Sequence, residues 1–572
     1  MGDEKTDSNE AKALVSSDPH NDPELIFAIV RAIGTDSAPV LSGITALLQD
    51  AQYKVSTVQL SDRFKDINFL SSTLKDSPEN ARYETYMNAG DLLRSVTQRA
   101  DAAAVLGIKG IIESRGNFIR DPTGTSRGRS YILKSLMHPK ELETLRRVYG
   151  TQLFVIAVFA PRDIRVRRLA KSIADSWGEQ VERWTPTAEE LVNRDVGIPK
   201  SGDAVAQTVP AKYVIDVQKT FHRADLFISA TAPDDSAAAV TRFVELIFGH
   251  PFHTPTREEF GMCMAYSAAA RSSSLGRSVG AAVVTPEGDL VSVGSNEAPK
   301  FGGGQYWPGD NPDGRTFVAG YDPSDRIRRQ LFADLLRRLY IDRVWAKGHG
   351  TPDDVMALNR VLDGLDLGST IDSVLSSELI SKASVLDVIE YGREVHAEMA
   401  AITDAAKRGV SIRGCVLFCT TFPCHECARL IVSSGITRVV YIEPYPKSRV
   451  AELYEDSIGL ADRRTELGNR VRFEPFVGIS PKRYFDLFSW VPRKASDVDG
   501  AAQDFSGNIA AWSIGTSRLR DSVADIESLQ SGARAQAIQR GEDQNVRAFE
   551  SRLRATEERA RAVEASSQSS AS

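Results

Sequence analysis

Apolar residues first gather in an unbroken run, Leu25-Ile26-Phe27-Ala28-Ile29-Val30, closed by Gly34, and this predicts a buried strand. A helix is predicted over Ala38–Gln49 and an alternating strand over Lys54–Leu60. Further apolar runs, Leu153–Phe159 and Asp225–Ala230, are separated by charged helical stretches. Strands that alternate with helices in this way predict an α/β unit with a largely parallel sheet. His250-Pro-Phe-His-Thr-Pro255 punctuates the chain, and the domain boundary is placed there. Beyond it a helix is predicted over Arg257–Ser274, then strands Ser278–Val284 and Asp289–Gly294 around a Glu287-Gly288 hairpin turn. Alternation resumes from Glu394 to Glu443.

The expected organisation is therefore a disordered leader (1–23), an α/β unit (24–250), a second α/β unit (251–493) and a polar tail (494–572). The second unit carries an insertion, 299–384, that opens on Phe301-Gly-Gly-Gly-Gln-Tyr-Trp307. Its Gly302-Gly303-Gly304 suits a hinged lid over a polar ligand, or an oligomer contact. In the tail, Asn545–Val563 reads as a solvated, fraying helix or as a short coiled-coil partner site.

The 572 residues, 42% apolar and 26% charged, fit an ordinary globular protein. The net charge of −6 argues against a long nucleic-acid footprint, which is usually basic. No apolar run approaches the length of a membrane span, so a cytoplasmic location without a membrane partner is expected. Four of the five cysteines, Cys415, Cys419, Cys424 and Cys427, crowd into one stretch, which does not suit a disulfide framework.

That stretch carries the chemistry. Val395-His396-Ala397-Glu398 is followed by Phe422-Pro423-Cys424-His425-Glu426-Cys427. One imidazole and two thiolates give Zn2+ three ligands and leave a fourth position for water, as in a catalytic rather than a structural site. Glu398, two residues after His396, is placed to move that water's protons. Pro423 and the apolar periodicity after each motif put His396 and Cys424 at helix starts, whose partial positive charge favours thiolate. Cys-x-x-Cys alone also suits a redox pair or half a zinc knuckle, and the combination with His-x-Glu is what singles out a deaminase. Cys415 and Cys419 read as buried fillers on a strand.

Arg257–Glu443 resembles the cytidine and deoxycytidylate deaminase family, on the two motifs just quoted. The resemblance implies a mixed five-stranded sheet flanked by helices, with His396, Cys424 and Cys427 holding zinc and Glu398 shuttling protons. It also implies that Asn296, in Gly294-Ser-Asn-Glu-Ala-Pro299, contacts the sugar hydroxyl and that the backbone of Ala397 meets the base. A homo-oligomer is implied as well. Where monophosphate deaminases often carry Asn two places after the Glu, this chain has Ala400. In Tyr445-Pro-Lys447, Tyr445 suits packing on a base and Lys447 a phosphate, with ordinary loop packing as the other reading.

The first unit shows a degenerate phosphate loop. Arg31-Ala-Ile-Gly34-Thr35-Asp36-Ser37-Ala38 stands between strand and helix, but Ser37 and Ala38 fall where a G-x-x-x-x-G-K-[ST] loop needs Lys and Ser/Thr. Gly34, Thr35, Asp36 and Ser37 are read either as a residual nucleotide contact or as a plain tight turn. Val155–Ala160 followed by Arg162, Arg165 and Arg168 adds a nucleotide-kinase-like trace.

A degenerate P-loop kinase-like domain fused to such a deaminase is similar to the bacterial anti-phage dCTP deaminases. Its further carriers are Thr254-Pro-Thr-Arg-Glu-Glu-Phe-Gly-Met262, Gly294–Trp307 and Tyr441-Ile-Glu-Pro-Tyr-Pro-Lys-Ser448. The resemblance implies deamination of dCTP and dCMP that depletes a cytosine nucleotide phages need, with the first domain regulatory and a small inhibitory RNA in some relatives. Two alternatives stay open: an RNA- or nucleotide-sensing module with secondary deaminase activity, and a polynucleotide cytosine or adenine deaminase.

Overall fold

The computed structural model describes residues 23–119, 128–195, 209–346, 391–445, 447–460, 468–488, 493 and 530–569. The leader, the rest of the insertion and the start of the tail lie outside the described residues. Two compact units emerge: Met1–Glu259 with Val477–Ser572, and Phe260–Phe476.

The first unit holds strands β1 (Leu25–Arg31), β2 (Tyr53–Gln59), β3 (Gly128–Lys134), β4 (Leu153–Phe159) and β5 (Leu226–Ser229). With β12 (Gly478–Ile479) they form a six-stranded sheet in the order β12-β5-β4-β1-β3-β2. Every pairing is parallel except β12 on β5. β1 lies at the centre and is covered on both faces, which is why its sequence is a continuous apolar run rather than an alternation. Phe27 stacks on Phe154 at 5.4 Å, and Phe154 meets Phe243 edge-on at 5.9 Å. Each such ring contributes about 1.5–3 kcal/mol of burial.

The chain leaves β1 through the expected tight turn. Gly34 has φ 80°, and a Cβ there would stand 2.4 Å from the Arg165 carbonyl oxygen, so the turn packs directly on the helix Arg162–Trp177. Asp36 accepts the Ala38 amide at 2.9 Å, occupying the first helix amide with a carboxylate of the chain itself. Thr35 and Ser37 are buried.

Two expectations are revised for the C-terminal part. Val477 onwards, expected with the second unit, belongs to the first: β12 pairs with β5, and Arg483 donates to the Leu153 carbonyl at 2.6 Å. The expected fraying or coiled-coil tail is a long helix, Gln530–Ser569, seated on the first unit. Glu542 is buried against Arg115, Arg99 donates to the side-chain oxygen of Asn545 at 2.9 Å, and Phe549 is buried.

In the second unit, β6 (Gly280–Val284), β7 (Leu290–Ser295), β8 (Val416–Thr421), β9 (Arg438–Glu443), β10 (Ile458–Leu460) and β11 (Val471–Pro475) form a sheet ordered β10-β11-β9-β8-β6-β7. It is mixed as expected, but with six strands rather than five, because the short β10 adds to β11. β6 runs antiparallel to both β7 and β8, and the rest is parallel. Helices Ala397–Lys407 and His425–Ser433 pack in this unit's core beside β8.

Candidate active site

His396 and Cys424 each stand at the N-cap of a helix, the first before Ala397 and the second before His425. His396 Nδ1 lies 3.3 Å from Cys424 Sγ and 3.4 Å from Cys427 Sγ. These three donor atoms lie within 4.8 Å of one another. Cys424 and Cys427 are buried, and Cys424 Sγ accepts the Cys427 amide at 3.5 Å. Two thiols and one imidazole nitrogen around one point form a donor set suited to zinc. The Cys427 thiol, the His396 ring and the helix amides stabilise the Cys424 thiolate, holding that thiol well below its ordinary pKa.

Glu398 sits in the first turn of the His396 helix and is 4% exposed. Burial pushes its carboxyl above the usual carboxylate range. The carboxyl interacts electrostatically with the Cys427 thiol and with the fully buried Cys419 of β8. Cys419 is buried in the apolar core of this unit, as read from the sequence.

A cavity of about 320 Å³ opens over these groups, with Asn296, His396, Ala397, Glu398, Cys424 and Tyr445 in its wall. Asn296 accepts the Val279 amide at 2.7 Å and donates to the Arg277 carbonyl at 2.8 Å, so it also fixes the loop before β6. The strand β7 is held beside the metal motif by a bridge between Glu297 and Val395. Lys447, expected near a phosphate, is exposed and is not part of the cavity wall.

Three arginines that the sequence did not single out line the same cavity: Arg277, Arg328 and Arg393. Arg277 pairs with Glu443 at 3.0 Å and Arg328 with Asp325. They come from the loop before β6, the insertion helix Pro323–Ala346 and the segment before His396, and share no motif. The described part of the insertion meets the cavity through Asp322, Ser324 and Arg328, not through its glycines. Gly302, Gly303 and Gly304 instead form a turn at φ 79–95°, and Gln305 anchors it by donating to the Ser295 carbonyl at 2.6 Å.

Residues 255–443 match the family model described as the cytidine and deoxycytidylate deaminase zinc-binding region. The metal of this region is zinc. The deoxycytidylate deaminase of Enterobacteria phage T4 is 46% identical over 87 residues, 15% of this chain and 42% of that protein. ComE operon protein 2 of Bacillus subtilis is 33% identical over 97 residues, 16% of this chain and 51% of that protein. The chain thus spans about half, or less, of the length of these relatives. A crystal structure of dCMP deaminase from the cyanophage S-TIM5 aligns with 39% of this chain and all of that one, at 17% identity and a TM-score of 0.20. Among the described residues, no helix is long and apolar enough to cross a membrane.

Proposed function

We propose that this protein is a zinc-dependent hydrolytic deaminase of free deoxycytidine nucleotides, dCTP and dCMP, releasing ammonia and the uracil nucleotide. The observation that carries the reading is Glu398 buried beside the His396, Cys424 and Cys427 donors at the floor of a cavity rimmed by arginines. His396, Cys424 and Cys427 would hold the zinc, which supplies a Lewis acid that acidifies water at neutral pH. Glu398 takes a proton from the attacking water, passes it to the ring nitrogen, and returns a second proton to the departing amine. The water oxygen adds to the ring carbon as the ring nitrogen is protonated; the C–N bond then breaks, and the second proton passes from the added hydroxyl through Glu398 to the departing amine. The raised Glu398 carboxyl suits a group that must both accept and give protons.

Asn296, Ala397 and Tyr445 line this cavity, which supports contacts of Asn296 with the sugar, of the Ala397 backbone with the base and of Tyr445 with the ring face. Arg277, Arg328 and Arg393 favour a substrate with several phosphate charges over an uncharged nucleoside. The similarity to anti-phage dCTP deaminases supports a cellular role in depleting dCTP during infection. Incubating purified protein with dCTP, dCMP and single-stranded DNA tests the chemistry, and conversion of the polymer alone would reject it. Measuring dCTP pools after infection, with wild type against Glu398→Ala, tests the role.

A second reading concerns the first unit as a nucleotide-sensing regulator. A cavity of about 100 Å³ lies at the carboxyl ends of β1, β2 and β3, walled by Arg31, Gln59, Phe64, Tyr83 and Ser135. Ligands of open parallel sheets bind at that edge. Nearby, among the described residues, Thr35 Oγ1 and Arg165 Nη1 are buried without hydrogen-bond partners. Equilibrium dialysis of dTMP, a nucleotide with no ring amine for a deaminase to remove, tests this reading; absence of binding, or binding unaffected by Tyr83→Ala, would reject it.

A further inference from the structure

The joint after the helix Pro233–Ile247 carries a second group of metal-ligating side chains, in the first unit. Glu245 stands in the helix's last turn, and the chain reverses at Gly249, φ 80°, bringing His250 and His253 back over it. His253 Nε2 lies 2.5 Å from Glu245 Oε2. The rings of His250 and His253 stack with centroids 4.0 Å apart. One donor atom from each of the three residues lies within 4.8 Å of the others.

Two imidazoles and one carboxylate make a donor set for zinc and similar divalent ions, with room for a water ligand. The side chains of Glu245 and His253 are 24% and 25% exposed, so solvent reaches that position. The helix C-terminus lends negative potential from its last carbonyls, one of which, Glu245, accepts the His250 amide at 2.9 Å. Pro251 between the two histidines restricts their turn before any ion arrives.

We propose that Glu245, His250 and His253 form a second divalent-metal site, of zinc type, that pins the joint to the last turn of the helix. The site stands whether or not the protein deaminates nucleotides.

Atomic emission on full-length protein dialysed against zinc buffered in the micromolar range tests it. Wild type is expected to hold two equivalents, and His250→Ala, His253→Ala and Glu245→Gln one each. Cobalt substitution separates the sites, because only the cysteine site gives a thiolate charge-transfer band. The joint adds visible absorption without one, and the variants lose that component alone. A single equivalent in wild type, or a second equivalent that persists in the His250→Ala/His253→Ala protein, overturns the proposal.

Discussion

Gly294, near the end of β7, packs so closely on the His396 helix that a Cβ there would stand 2.2 Å from the Ala397 carbonyl oxygen and 2.5 Å from the Ala401 amide nitrogen. Both are backbone atoms, so no rotamer change relieves the contact. The helix that bears Glu398 and starts at His396 therefore takes its distance from the sheet from the missing side chain. Gly294→Ala is expected to cost about 1–3 kcal/mol in thermal or denaturant unfolding. It should also weaken zinc retention and lower kcat, since both groups move with the helix.

Glu398→Ala should retain zinc by atomic emission yet lose about 10²–10⁴ in kcat on dCTP and dCMP, the range of a general acid–base group. Cys424→Ala should lose the zinc equivalent of the cysteine site and the activity together. Parallel metal and rate measurements separate the two roles.

Arg393→Ala, at the exposed edge of the cavity, should raise KM for dCTP about tenfold, the low end for a charge-assisted hydrogen bond. KM for deoxycytidine should barely move. An equal rise for both substrates would assign Arg393 to folding rather than to phosphate.

The buried His138 caps the helix Pro139–Tyr149, its Nδ1 accepting the Lys140 amide at 3.2 Å. Burial and then Arg94 depress its pKa from 6.5 to about 4. The unfolded chain therefore takes up a proton below pH 6.5 that the folded chain refuses. Stability from this group is intact above pH 6.5 and declines as the pH falls towards 4, by no more than about 3 kcal/mol. His138→Asn keeps a capping side chain and should flatten that part of the Tm–pH curve.

Glu542→Ala should destabilise the first unit by about 1–3 kcal/mol. Among the described residues it leaves Arg115 with Glu24, at 2.8 Å. Proteolysis of the C-terminal helix should accelerate in step.

The elements written locally in the chain were legible. Leu25–Val30, Leu153–Phe159 and the two helix starts at His396 and Cys424 announce themselves through apolar runs, Pro423 and the motif spacing. β12 was not, because two residues, Gly478 and Ile479, become a strand only through β5. The docked tail helix hides for a similar reason: among its described side chains the buried ones are Phe549 and the polar Glu542, too few to mark an apolar face. Arg277, Arg328 and Arg393 are far apart in sequence, and only folding collects them. Lys447 was singled out because its segment follows a strand near the zinc helix, yet of that segment Tyr445 lines the cavity and Lys447 does not.

The pairing of β12 with β5 makes the order of synthesis matter. A ribosome completes the whole Phe260–Phe476 unit before it releases the residues that finish the earlier sheet. The nascent first unit must wait with the β5 edge open, and a fragment ending at the 250–255 joint would keep that edge permanently. Cutting the gene at its most obvious punctuation would thus yield an aggregation-prone half rather than a domain.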